Sequence, residues 1–304
     1  PNVFQDQQYK LGSVGNPDTA VRDQATKHIL DCIALGQEVG STAVSMWFAD
    51  GTNYPGQDSI RARKHRFEYA LREAHAALSP EQTLLVEYKP FEPAFYQTDI
   101  ADWGMAYLLS KIAGPQAKVL VDTGHHYLSQ NIEQIVAWLL DENMLGGFHF
   151  NDRRYADDDL TLGSIDPYQI FRIFHEIHFY AWERGGVYPA IEYMIDQSHN
   201  LKPKIEAMIQ TVTTAQELYA KAALVDHEAL VKFQEKGQII DAEMLLKKAF
   251  NTDVTPLIHD WRRSHDLPLE PLLAHRESGY EAAAAAERRA RRIALGISSV
   301  SSYA

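Results

Sequence analysis

The sequence has almost no sulfur chemistry to offer: its 304 residues include a single cysteine, Cys32, set between Asp31 and Ile33 in a stretch that reads as helix. No intrachain disulfide can form, which excludes a disulfide-stapled scaffold and favours a reducing compartment. With no second thiol to pair with, Cys32 is expected to be a buried structural residue. Positive charge is also scarce, with 29 basic against 41 acidic residues and a formal net charge of −12. That balance argues against nucleic-acid partners, which need clustered positive charge. No apolar run approaches the roughly 20 residues of a membrane span, and no cationic and apolar leader opens the chain. No G-x-G-x-x-G turn, P-loop or G-x-S-x-G elbow occurs, so the signatures of nicotinamide binding, P-loop phosphate binding and the hydrolase nucleophile are missing. His175-Glu176-Ile177-His178 is one residue too short for the metalloprotease H-E-x-x-H. The expectation is a cytoplasmic protein with no membrane or nucleic-acid partner and no nicotinamide.

What remains is ordinary globular composition, 45% hydrophobic and 23% charged. Pro1-Asn2-Val3-Phe4 reads as the last residues of a strand with no initiator Met before it, so the domain is expected to begin upstream. Five apolar runs follow, Thr42 to Phe48, Thr83 to Tyr88, Lys118 to Asp122, Gly146 to Asn151 and Val187 to Ile195. Their content fits strands buried on both faces. Helical patterns lie between them, at Asp18 to Gly40, Asp58 to Leu78, Ile100 to Ile112, Asn131 to Asn143 and Asp166 to Arg184. Alternation of this kind implies a parallel α/β sheet. Ionisable residues at the C-terminal end of nearly every strand favour a barrel, with about five and a half of the eight β/α units present.

After Asn200 the pattern is helical, at Pro203 to Leu224, Asp226 to Glu235, Asp241 to Phe250, Val254 to Arg263 and Tyr280 to Ala294. Ile205, Met208, Ile209 and Val212 form an apolar stripe on the first of these, which is expected to close the last barrel unit. Residues 1–224 are therefore read as an incomplete (β/α)₈ TIM barrel, N-terminally truncated, and residues 225–304 as an α-helical C-terminal extension. Arg288, Arg289, Arg291 and Arg292 are read as a solvated helix end.

The chemistry is at the strand ends. Glu87 and Lys89 share a side of the second strand by alternation. Asp122 ends the third and is followed by His125 and His126; the fourth carries His149, then Asn151 and Asp152; Asp157, Asp158 and Asp159 come next, and Asp196 to His199 close the fifth. Singly, each has a bland explanation as loop solvation or a helix cap, and Asp157 to Asp159 alone reads as a solvated loop. Together, Glu87, Asp122, His149 and Asp196 reach one end of four successive strands. A mixed carboxylate and imidazole set without thiolates suits Mn²⁺, Co²⁺, Mg²⁺ or Zn²⁺. His125 and the neighbouring aspartates supply either supporting contacts or a second metal. Ser198 beside His199 does not make a triad, because sequence neighbours do not form one.

In combination, Trp47-Phe48-Ala49-Asp50-Gly51, Glu87-x-Lys89, Glu92-Pro93-Ala94-Phe95-Tyr96, Asp122-x-Gly124-His125-His126, Gly147-Phe148-His149-Phe150-Asn151-Asp152, Asp157-Asp158-Asp159-Leu160 and Ile195-Asp196-Gln197-Ser198-His199 resemble the bacterial L-rhamnose isomerases of broad specificity. The Glu-x-Lys-Pro and Asp-x-Gly-His elements are also similar to xylose isomerase. The resemblance implies a xylose isomerase-like barrel that moves hydrogen between C1 and C2 of a small-molecule sugar, converting L-rhamnose into L-rhamnulose. It implies two divalent ions, Mn²⁺ first among them. Glu87, Asp122, His149 and Asp196 would hold one; Glu87 would bridge to the other, with His125, Asp157 and Asp159 as its further ligands. Lys89, Asp196, His125 and Asp157 would be catalytic, and Trp47, Lys89, Asp196 and Ser198 would bind substrate. It also implies a homotetramer. Two and a half further β/α units precede Pro1 in that family. A ketose 3-epimerase, a metal-dependent endonuclease barrel and a degenerate metal-binding remnant are the competing readings.

Overall fold

The computed structural model describes residue 3 and residues 6–91, 98–197 and 201–297. Its centre is a sheet of five parallel strands in sequence order: β1 (Ala43–Met46), β2 (Thr83–Glu87), β3 (Ala117–Asp122), β4 (Leu145–Phe150) and β5 (Glu192–Ile195). Helix α1 (Thr19–Glu38) precedes β1. Helices α2 (Ile60–Ala76), α3 (Trp103–Ala113), α4 (Ile132–Asp141) and α5 (Pro167–Glu183) make the crossovers between successive strands. Each of the five starts on a side-chain cap: Asp18, Ser59, Asp102, Asn131 and Asp166 accept a hydrogen bond from a backbone N–H of the first turn.

Alternation divides the strand residues between two faces. Leu84, Val86, Val119, Val121, Phe148 and Phe150 turn toward the helices and join the main core. Leu85, Glu87, Leu120, Asp122 and His149 fall at the alternate positions and line the other side. There the sheet curls into a half-barrel: Thr42 Oγ1, ahead of β1, donates to Glu192 Oε1 at the start of β5 across 3.5 Å. The chain is thus an α/β protein of TIM-barrel type.

One irregularity sets the register of the functional end. Val119 pairs with Leu145 but Leu120 pairs with Gly147, so Gly146 is an extra residue in β4. Because side chains alternate, the bulge decides that Asp122 is opposed by His149; an unbroken ladder would have put Phe148 there. Glycine is needed at the bulge. A Cβ on Gly146 would run into Leu85 Cδ2 and stand 2.8 Å from Lys118 Cβ.

The loops above the strands are fastened by Arg63, whose side chain is only 2% exposed. It donates to Asp99 Oδ2 at 2.6 Å and to the carbonyls of Leu11 and Gly15 at 3.0 and 3.1 Å. Asp50, after β1, accepts from Ser13 N and Gly15 N at 2.7 and 2.9 Å. Asp99 N donates to Asp50 O, and Lys89 N to Ile100 O, so the loops after β1 and β2 are held together.

Helix α6 (Lys204–Ala223) packs on α5, and its buried residues are Ala207, Thr211, Leu218 and Ala222. The apolar stripe read from the sequence lies largely on another face. Ile205, Met208 and Val212 are 36 to 41% exposed and line a groove with Trp261 and Leu267. Small residues such as Ala207 and Thr211 allow the closer approach of two helix backbones, which accounts for the face chosen. Helices α7 (His227–Glu235), α8 (Ile239–Phe250), α9 (Thr255–Ser264), α10 (Pro271–Glu277) and α11 (Tyr280–Ala294) follow. Phe250 of α8 meets Tyr168 and Phe171 of α5 edge-on, with ring centroids 4.9 and 5.4 Å away.

Other expectations are corrected. The last strand covers only Glu192–Ile195 and not the run from Val187, because Gly185, Gly186 and Pro189 interrupt the extended segment before it. Cys32 is half-buried rather than buried, its Sγ 3.7 Å from His28 Nε2 one turn back. A short 3-10 helix, Gln7–Leu11, and α10 were not foreseen, since neither shows a full helical period. Phe4 and the strand read at Pro1 to Phe4 lie outside the described residues apart from Val3, which is buried. Among the described residues no helix is long and apolar enough to cross a membrane.

Gly146→Ala should lower stability by about 1–3 kcal/mol through overpacking at the bulge. A urea midpoint unchanged from wild type would show that β4 tolerates the methyl without losing its register.

Candidate metal centre

The C-terminal ends of the strands bring ionisable groups together in two overlapping sets. Ligand-type atoms of Glu87, Asp122, His149 and Asp196 lie within 4.8 Å of one another, and so do those of Asp122, His125 and Asp157. His149 Nδ1 stands 3.1 Å from Glu87 Oε1, 3.8 Å from Asp122 Oδ2 and 3.6 Å from Asp196 Oδ2. His125 Nε2 lies 3.9 Å from Asp122 Oδ2 and 3.5 Å from Asp157 Oδ2. The His125 ring is oriented by its other nitrogen, which donates from Nδ1 to the Tyr88 carbonyl at 2.9 Å. That bond holds the ring so that Nε2 faces the carboxylates, the orientation a metal-binding histidine needs.

Asp122, on the middle strand, belongs to both sets. Its Oδ1 accepts from Gly124 N at 2.7 Å and from Asn151 Nδ2 at 2.9 Å, which turns Oδ2 toward the two histidines. Asn151 Nδ2 also donates to the Asp196 carbonyl at 2.9 Å, so one amide ties the ends of β3, β4 and β5. Asp157 comes from the loop after β4. Asp152 and Leu160 close that loop with two backbone hydrogen bonds of 2.8 and 2.9 Å, and Asp158 Oδ2 caps its turn by accepting from Arg154 N and Tyr155 N. Lys89 Nζ is 2.7 Å from Asp157 Oδ2 and 5.3 Å from the centroid of the Trp47 ring. A cavity of about 350 Å³ opens beside them, lined by Lys89, His125, Arg153 and Asp157 together with Phe91, Tyr127 and Leu128.

The charge balance suits a cation. Burial pushes the Asp122 carboxyl up to about 7 against the opposing pull of His125, and the neighbouring charge of Glu87 adds to the rise. Burial alone would depress His125, but Asp122, Asp157 and Glu87 outweigh it and hold the imidazolium up to about 10. His149 is raised in the same way, its burial outweighed by Glu87, Asp122 and Asp196. Asp157 runs the other way: burial opposes ionisation, yet His125 and Lys89 hold its carboxyl well below the usual range. Asp122, His125 and His149 thus retain protons because too much negative charge is gathered in too little water. At this site the buried acceptor oxygens Asp122 Oδ2, Asn151 Oδ1 and Asp157 Oδ1 receive no hydrogen bond. Orphaned acceptors among carboxylates and imidazoles are what a hard or borderline divalent ion satisfies, so the residues present fit such a group.

The sequence comparisons agree with this architecture. Residues 3–220 match the model of the family described as xylose isomerase-like TIM barrel. The chain belongs to that family. A probable sugar isomerase of Rhizobium meliloti is 43% identical over 283 residues, which cover 93% of this chain and 65% of that protein. A probable sugar isomerase of Mesorhizobium japonicum is 42% identical with the same coverage. A xylose isomerase of Bacteroides fragilis is 26% identical over 183 residues, 58% of this chain and 42% of that protein. The chain therefore spans about two thirds of the length of its two rhizobial relatives, 65% in each case.

Within this xylose isomerase-like frame, the structure gathers Glu87, Lys89, Asp122, His125, His149, Asp157 and Asp196 at one place, with Trp47 beside Lys89. Asp159 stands outside both sets, its backbone in the left-handed region at φ 48°. Asp122 belongs to both sets, and Glu87, the residue expected to bridge two ions, places Oε1 3.1 Å from His149 Nδ1 and 3.4 Å from His125 Nδ1. Ser198, His199 and Glu92 to Tyr96 lie outside the described residues. His126 is a neighbour of the site with its own partner: burial, with the charges of Arg153 and His125, pushes it down to about 3, and its Nε2 shares a hydrogen bond of 2.6 Å with the Tyr88 hydroxyl.

Two contributors had no legible signal in the sequence. Arg153 donates to the carbonyls of His126, Thr123 and Tyr127 at 2.7, 3.1 and 3.1 Å and so braces the segment that carries His125. Asn151 stood in a quoted motif, but its bridging amide is visible only once three strands are assembled.

Divalent-ion affinity should rise with pH. Asp122 and His125 are raised groups, so the cation must displace their protons; deprotonation of Asp122 through about 7 removes the first competitor. Calorimetry in buffers of different ionisation enthalpy should register proton release on Mn²⁺ binding, and affinity that is flat between pH 6 and 8 would contradict this. Asn151→Ala, which unties Asp122 from Asp196, should weaken Mn²⁺ binding about 10- to 100-fold with little effect on the far-ultraviolet circular dichroism.

Proposed function

We propose that this chain carries the active site of a divalent-metal-dependent aldose–ketose isomerase acting on a neutral sugar, with L-rhamnose and L-rhamnulose as the first pair to test. The observation that carries the reading is the pair of ligand sets that overlap at Asp122, with Lys89 against one of them and a cavity of about 350 Å³ alongside. That volume falls in the range of small-molecule sites. The names of the two rhizobial relatives support the class of activity, and the resemblance of the motifs supports the sugar.

Bound divalent ions would supply Lewis-acid polarisation of the two substrate oxygens between whose carbons hydrogen moves. Glu87, Asp122, His149 and Asp196 would hold one; Asp122, His125 and Asp157 would hold the other. Lys89 faces the cavity and would donate from Nζ to the oxygen that gains negative charge. Trp47, half-buried beside Lys89, would exclude water from that end and so strengthen the interaction. Asp196, whose side chain is 59% exposed, stands where sugar hydroxyls would arrive, and Ser198 follows it in the chain.

The cavity also speaks for an uncharged substrate. The Arg153 guanidinium is engaged by three backbone carbonyls and by Gln169 Oε1 at 3.2 Å, and Lys89 is paired with Asp157. A phosphorylated sugar would meet four carboxylates, Glu87, Asp122, Asp157 and Asp196, in exchange.

The chain, stripped of metal and then given Mn²⁺, should form L-rhamnulose from L-rhamnose. Glu87→Gln should lower kcat/KM at least about 100-fold, beyond what loss of an orienting partner costs a metal site. Absence of turnover on any aldose, with Mn²⁺ binding intact, would refute the isomerase reading for this chain. Formation of a C3 epimer from a ketose without aldose turnover would replace it by an epimerase.

A further inference from the structure

The two ligand sets differ in one respect that bears on how they fill. Among the described residues, no lysine or arginine lies within ion-pair distance of Glu87, Asp122, His149 or Asp196; the contacts there are with histidines. Asp157, by contrast, already holds a lysine ammonium. Lys89 Nζ is 2.7 Å from Asp157 Oδ2, the same oxygen that stands 3.5 Å from His125 Nε2 in the second set. The side chains of this pair are only 15% and 18% exposed, so the attraction between them is screened far less than at a surface.

A divalent ion entering the set of Asp122, His125 and Asp157 must therefore compete with an internal ammonium for Asp157 Oδ2. The geometry also provides for the ammonium once displaced. Trp47 presents its ring 5.3 Å from Nζ, a cation–π distance, and Lys89 lines the cavity. Retention of the positive charge near the site costs less if it can turn from a carboxylate to an aromatic face.

We propose that Lys89 is an exchangeable counter-cation for the second ligand set: its ammonium neutralises Asp157 until a divalent ion takes that carboxylate, and it then turns toward the cavity. This rests on the metal-dependent reading above and adds two properties to it. The two sets bind divalent ions with unequal affinity, the one containing Asp157 being the weaker. Filling of the weaker set and presentation of the Lys89 donor to substrate are one event.

The test is an Mn²⁺ titration of the metal-stripped chain, followed by calorimetry and by the electron paramagnetic resonance signal of free Mn²⁺ at fixed pH. Wild type should show a tighter and a weaker class. Lys89→Met should tighten the weaker class on the order of tenfold, the worth of one charge-assisted hydrogen bond removed from competition, and leave the tighter class within about twofold. Lys89→Arg keeps the charge and should not tighten it, which separates competition from a general change of packing. Asp157→Asn should abolish the weaker class alone. A weaker class that is unchanged or loosened in Lys89→Met, while Asp157→Asn still removes it, overturns the proposal and leaves the metal-dependent reading standing. Wild type that binds no Mn²⁺, or whose binding ignores Glu87→Gln, overturns that reading itself.

Discussion

The constraint on which this structure turns is the gathering of carboxylates at the dry end of a parallel sheet. Glu87 and Asp122 are 3% and 1% exposed, and Asp157 and Asp196 approach the same two histidines. Isolated charges in such a place are strongly disfavoured, and their cost is reduced only by opposite charge and by hydrogen bonds to the ionised form. The chain supplies part of that compensation with His125, His149, Lys89 and the amide of Asn151. The acceptors that remain without a donor could take a cation, and a cavity lies beside them.

A cluster of this kind is stable only if its members cannot drift apart, and the scaffold provides for that locally. The bulge at Gly146 brings His149 opposite Asp122. Asn151 links Asp122 to Asp196, Arg153 braces the segment carrying His125, and Asp152 and Asp158 close the loop that delivers Asp157. Below, Leu85 and Leu120 are fully buried on the inner side of the half-barrel. On the outer side the main core joins strands to helices, and Arg63 with Asp50 and Asp99 secures the loops above β1 and β2. The rigid parts thus surround the site, whereas α11 at the other end of the chain has no buried residue and carries its arginines in solvent, as a solvated helix end should.

Much of this was legible beforehand because it rests on short-range rules. Hydrophobic runs separated by helical periods marked five parallel strands, four of them within two residues of their limits, and the helical patterns begun at Asp18, Asn131 and Asp166 start on the residues that cap those helices. The set Glu87, Asp122, His149 and Asp196 was legible for a related reason: in a parallel α/β fold every strand delivers its last residues to the same end, so a polar residue there is placed by topology alone. Where the reading slipped, composition concealed geometry. Val187 to Tyr188 is apolar yet not strand, and the stripe on α6 is apolar yet leaves Ile205, Met208 and Val212 exposed.

The sequence by itself determined the fold class, the end of the sheet where the chemistry lies and the residue types gathered there, since each follows from periodicity and chain direction. Only the tertiary structure decided which of three consecutive aspartates reaches His125, which carboxylate is shared between the two sets, and that Asn151 and Arg153 hold them in place. Those choices depend on a one-residue bulge, on ring orientation and on side chains meeting across strands far apart in sequence, and no local pattern encodes them.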